Sequence, residues 1–221
     1  MKNLKTFILL LLLFSIQNLK SQNILPPEKV FDLYFNSFVR YDDDSLKELN
    51  SYLINFLGKE NTHKMNLGDT YKQRVDYFTQ IFLSTLPTDM ASSCKEEATN
   101  YFCVLIDNFK EAKCSIKCIK SIQKKILKDQ EVSEVVFEVS FKVSSNVPEL
   151  HINDIKKGGA DEMRKYLRDL TIHLKKADKI VKTEQKFNLY QMKNGDDTYY
   201  WNGGPQELTW KLNEFYFKNI K

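Results

Sequence analysis

Glycine and proline are scarce, seven and five among 221 residues. That is too few for a low-complexity linker or a collagen-like segment, and the phosphate-cradling pattern G-x-x-x-x-G-K does not occur. Histidine is scarcer still, with three residues, and neither an H-E-x-x-H zinc signature nor a G-x-S-x-G nucleophile elbow is present. No repeat with a period of about 20–50 residues is visible, which excludes solenoids and propellers. No apolar run approaches the roughly 20 residues a bilayer-spanning helix needs.

What is present is the composition of one globular domain, 42% hydrophobic and 28% charged, with 13% aromatics for a sizeable core. The N-terminus reads as an address. Lys2 and Lys5 precede an unbroken apolar run from Phe7 to Phe14, the length of a secretory h-region, and a cut after Ser21 or Gln22 is expected. Residues 1–21 are therefore read as a cleaved signal peptide and 22–221 as a single domain, exported to a periplasm or the extracellular space. Losing Lys2, Lys5 and Lys20 takes the 33 basic residues to 30 against 29 acids, so the working chain is almost neutral and phosphate-driven nucleic-acid binding is not expected. A local excess survives, seven Lys between Lys110 and Lys128 against the single acid Glu111. Such a run keeps an exposed face soluble, or docks an acidic partner or a membrane surface.

Export would place Cys94, Cys103, Cys114 and Cys118 in oxidising surroundings, where an even count reads as two disulfides. Cys114 and Cys118 are about 13 Å apart along a strand, and in a helix their Cβ atoms are still too distant for a bridge. Each is expected to pair with one of Cys94 and Cys103, and an antiparallel return favours Cys94 with Cys118 and Cys103 with Cys114. His63, His151 and His173 are all remote from the cysteines in sequence, which argues against zinc, and no C-x-x-C is present.

The spacing of apolar residues predicts helices first and strands later. Pro26-Pro27 opens a helix with Val30, Phe31, Tyr34, Phe35 and Phe38 on one face. Ser45 and Glu48 form a capping box for a second helix carrying Leu46, Leu49, Leu53, Phe56 and Leu57, closed by Gly58. Thr70 with Gln73, and Ser93 with Glu96, are cap-compatible starts for a third and a fourth. The 114–127 segment fits both a helical and an alternating period. Alternation from Val135 to Val143 then predicts a strand, paired with 114–127 across the connection 128–130. Gly158-Gly159 leads into a helix with Met163, Leu167, Leu170 and Leu174. The dipeptide Asn194-Gly195 marks a hairpin between 181–192 and 198–201. Residues 205–221 are aromatic-rich and of undetermined type. The fold class is α+β, N-terminal helices packed on a curved antiparallel sheet of about four strands.

Phe35, Phe38, Tyr41, the acidic turn Asp42 to Asp44 and then Ser45-Leu46-x-x-Leu49 resemble the opening helices of the nuclear-transport-factor-two-like superfamily, over residues 28–58. The resemblance implies a cone of long strands around a pocket, on which isomerases and cyclases, ligand carriers and interaction or immunity modules all occur. No catalytic, cofactor-binding or metal-binding residue stands out. Asp42, Asp43, Asp44 and Asp69 have the setting of turn and cap residues, and the triple Asp lacks the spacing of a calcium loop. Tyr199, Tyr200 and Trp201 form a candidate contact surface, with cross-strand packing as the alternative. The sequence thus reads as a non-enzymatic binding or protein-interaction domain for an unknown protein or small apolar ligand. A small-pocket isomerase or cyclase-like enzyme and an inhibitor or immunity protein are the alternatives.

Overall fold

The computed structural model describes residues 24–123, 131–146 and 158–220. The expected leader, the 128–130 connection and His151 lie outside them. Helix α1 (Pro27–Phe38) begins with proline, whose missing N–H is no loss in a first turn. Its predicted stripe of Val30, Phe31, Tyr34, Phe35 and Phe38 is buried. After a left-handed Tyr41 (φ 58°), α2 (Asp43–Leu57) is capped by Asp42 and not by the Ser45–Glu48 box. The Asp42 carboxylate accepts from the Asp44 N–H at 3.0 Å and from the Ser45 hydroxyl at 2.7 Å. One anion at a helix N-terminus both satisfies donors and meets the dipole, so the earlier start wins. Gly58, φ 76°, ends α2 as expected.

The next two helices also start earlier than their predicted caps. Asn66 caps α3 (Leu67–Ser84) by accepting from the Asp69 N–H, and Thr70 instead donates to the Asn66 carbonyl. Helix α4 (Thr88–Lys110) starts directly after Pro87, which leaves Ser93 inside it, donating to the Asp89 carbonyl. Residues of this type serve either as caps or as back-bonding interior positions, and sequence spacing does not separate the two.

The sheet is an open antiparallel meander, β1-β2-β3-β4. Strands β1 (Lys113–Gln123) and β2 (Glu131–Val143) form the expected hairpin. Helix α5 (Ala160–Lys175) precedes the long β3 (Lys179–Asn194) and short β4 (Asp197–Trp201). Asn194 pairs with Asp197, so the turn itself is Gly195-Asp196, one residue later than the Asn194-Gly195 signal placed it. The aromatic tail is a helix, α6 (Gln206–Asn219). The period of β1 looked ambiguous for a physical reason. Its register shifts between Ile116 and Cys118, so Cys114 and Ile116 oppose Val139 and Phe137, whereas beyond the bulge it is Ile119 that opposes Val135.

Two cores hold these layers together. The main one packs α1, α2, the C-terminal half of α4 and α6 on Val135, Phe137, Val139 and Phe141 of β2 and Phe187 and Leu189 of β3. Phe31 meets Phe137 at 4.7 Å, and Phe109 stacks on Phe141 at 5.3 Å between ring centres. A separate cluster joins Leu86, Met90, Cys94 and Ala98 to Met163 and Leu167 of α5. The other face of the sheet carries an ion-pair ladder. Glu138 lies between Lys117 (3.5 Å) and Lys182 (3.0 Å), and Glu134 binds Lys186 at 2.9 Å. Part of the basic run from Lys110 thus forms a solvated sheet face. With its lysines and bulge, edge strand β1 is a poor template for pairing with another chain.

Candidate functional site

Helices α3, α4 and α6 and the α1–α2 turn meet at Arg74. Its guanidinium donates to the Tyr41 hydroxyl at 2.7 Å and to the Asn213 side-chain oxygen, and lies 4.8 Å over the Phe109 ring. Beside it the Tyr71 hydroxyl donates to Asp107 at 3.0 Å, and Lys110 sits 4.8 Å over the Tyr71 ring. Burial, reinforced by the Asp107 carboxylate, raises the Tyr71 pKa and keeps that hydroxyl a donor. This cluster braces α3 against the body. Its sequence signal was a single arginine within the apolar series Tyr71, Val75 and Phe78.

The braced α3 and α4 leave between them an open groove of about 660 Å³. Small side chains on α4, Thr88, Ala91 and Ser92, keep it open, and Asp76, Gln80 and Lys95 add charge and amide groups to its walls. At its base Thr79 is 3% exposed, and its hydroxyl has no partner. Thr70, Thr99 and Thr171 instead donate to the carbonyl four residues earlier. On the outer side of α3, Tyr77 and Ile81 stand one helical turn apart, 61% and 47% exposed.

The chain matches no known protein family, curated protein or solved structure.

A second concavity of about 310 Å³ lies where α4 ends, β1 begins and α5 passes into β3. Lys113, Lys142 and Lys175 surround it, and buried Phe141 and Leu174 form its apolar side. Glu111 is its one acid. The Asn108 amide donates to the Leu174 carbonyl at 2.8 Å and ties the end of α5 to α4.

The expected disulfides are not formed. Cys94, Cys103, Cys114 and Cys118 are all free thiols. Cys94 and Cys103 are nine residues apart on α4, which places them on opposite sides of the helix and about 13 Å apart along it. The β1 bulge likewise separates the other two, Cys114 on the core face and Cys118 exposed on the other. Cys94 is enclosed in the smaller core, with its sulfur 3.6 Å from the Ala160 carbonyl. Burial raises the pKa of Cys94, and it pushes the Cys114 thiol up to about 12.

The aromatic run after the hairpin turn is largely interior. Tyr199 is fully buried, stacked on Phe56 at 4.6 Å, so the contact surface expected there is reduced to half-buried Tyr200 and Trp201. The backbone N–H of Tyr200 donates to the Tyr52 hydroxyl, and the Trp201 indole N–H is buried with no partner. Asp42 is a cap, as the sequence suggested, and the Ser45 bond draws its carboxyl below the usual range. Asp43 and Asp44 occupy the first turn of α2, and Asp69 that of α3. His63 packs edge-on against Tyr34 and Phe38, with Nε2 buried and unpartnered, and desolvation lowers its pKa. His173 is bound to its own helix at the Asp169 carbonyl. Among the described residues no three His, Cys, Asp or Glu side chains are placed to hold a metal ion. No described helix is long and apolar enough to cross a membrane.

Proposed function

We propose that the chain is an exported, non-enzymatic binding domain that docks a protein partner on the α3–α4 face. The observation that carries this reading is the exposure of Tyr77 and Ile81 on a helix anchored to the body by Arg74 and Tyr71, with an open groove about 660 Å³ in volume along another side of the same helix. Large apolar side chains held on a rigid element lose little conformational entropy on docking, which makes them efficient contact residues. The groove walls mix apolar, hydroxyl and charged groups, the composition of a protein-contact surface more than of an enclosed small-molecule pocket. The titratable groups that lie close together do structural work: Arg74 and Tyr71 join helices, and Asp42 caps one. Export rests on the basic, then apolar pattern of residues 2–14.

The test is a comparative capture from the secretory compartment. Wild-type protein and a Tyr77→Glu/Ile81→Glu variant of unchanged melting temperature are used as bait. A protein retained by the wild type and lost on the variant supports the reading. Identical retention by both baits overturns it, as does a small apolar molecule that raises the melting temperature equally in both.

A further inference from the structure

The ion-pair ladder of the sheet stops short at one end. Alternate positions along that face of β2 read Glu134, Val136, Glu138, Ser140 and Lys142. The two glutamates pair with Lys117, Lys182 and Lys186. Lys113 stands opposite Ser140, and Lys142 lies two residues further along the same face. These two lysines are therefore diagonal neighbours of like charge with no acid between them. Lys175, at the end of α5, adds a third ammonium to the same recess. None of the three has a carboxylate within ion-pair distance among the described residues, and Glu111 is the sole acid on the recess wall. Lys175 is placed to offset the negative end of α5, but Lys113 and Lys142 are on strands and have no helix terminus to complement.

Below these charges the recess becomes apolar. Strand β1 begins at Lys113, opposite Ser140, whereas β2 continues to Val143. Among the described residues no strand pairs with β2 beyond Ser140 on that side, so the edge of β2 walls the recess, with Phe141 and Leu174 beneath it, 1% and 5% exposed, and Ile180, 61% exposed, at its mouth. A volume of about 310 Å³ equals roughly ten water molecules. We propose that this recess binds a small amphiphilic carboxylate, its head between Lys113, Lys142 and Lys175 and its alkyl chain along the edge of β2 against Ala177 and Ile180. A chain of about eight carbons has the size and the single charge the site can neutralise. The groove takes α4 residues 88–99 and the recess only Asn108 at the far end of that helix, so either reading can fail without the other.

Octanoate is the probe, with octanol and inorganic phosphate as controls, titrated into the full chain and followed by backbone amide shifts. The expected result is saturable binding of octanoate, with shifts concentrated at Lys113, Ser140 and Lys175. Affinity should weaken about tenfold in a Lys113→Gln/Lys142→Gln variant and fall with added salt. Octanol and phosphate should each bind far more weakly than octanoate. Both lysines are exposed, so the variant is expected to keep its fold, and the salt dependence of the wild type tests the charge contribution without it. Equal binding of phosphate, equal binding of octanol, or shifts located at the α3–α4 groove would each overturn the proposal.

Discussion

Tyr34 shows how much one oxygen can hold. Its hydroxyl accepts the Asn202 N–H at 2.9 Å and donates to the Asn202 carbonyl at 3.0 Å, both buried. Asn202 in turn binds the Asn188 carbonyl and the Gly204 N–H, so the exit of β4 is fixed to α1 and β3. Tyr34→Phe leaves two buried backbone groups unpaired and should cost about 2–4 kcal/mol in a urea melt. The thiols separate by burial. Ellman's reagent should titrate Cys118 quickly in native protein and Cys94 and Cys114 only after unfolding, to a total of four; fewer than four in unreduced, denatured protein would contradict the geometry. His63 adds a pH dependence. Its folded pKa lies below its unfolded value, so the unfolded chain binds the proton more readily and stability falls as pH drops through and below about 6.5. A His63→Phe variant should show a smaller loss of melting temperature between about pH 7 and pH 5 than the wild type.

At the scale of elements, the turns and edges decide register. Gly195 has a φ of 65° in the two-residue turn joining β3 to β4, a region where a Cβ is strained. Gly195→Ala should lower stability by about 1 kcal/mol, a fall of roughly 2–4 °C in Tm by calorimetry. Every helix that the apolar spacing predicted is present, because burial of one face dominates helix placement. Three starts moved upstream, since Asp42, Asn66 and Pro87 are as able to begin a helix as the residues that follow them. The β1 bulge was hidden for a different reason. An inserted residue reverses the alternation and produces a pattern that partly fits a helix, so only pairing with β2 reveals it.

The whole molecule is organised around two cores that share α4, whose C-terminal half carries Leu105 and Phe109 in one and whose N-terminal half carries Met90 and Cys94 in the other. Met163 belongs only to the smaller cluster and is 2% exposed. Met163→Ala should cost about 2–5 kcal/mol. Hydrogen exchange should rise first in α5 and the N-terminal half of α4, with β2 and β3 still protected; uniform acceleration would instead mark a single cooperative unit. Class, the order of elements up to Trp201 and the core stripe of α1 were determined by the sequence alone, because periodic burial is a local property that each segment carries with it. The α3–α4 groove, the Arg74 brace, the lysine recess and the separation of the four cysteines were decided only by tertiary structure. Each depends on how elements distant in sequence are brought together: Arg74 meets Asn213 across 139 residues, and a lysine counts as uncompensated only once the strand beside it is known.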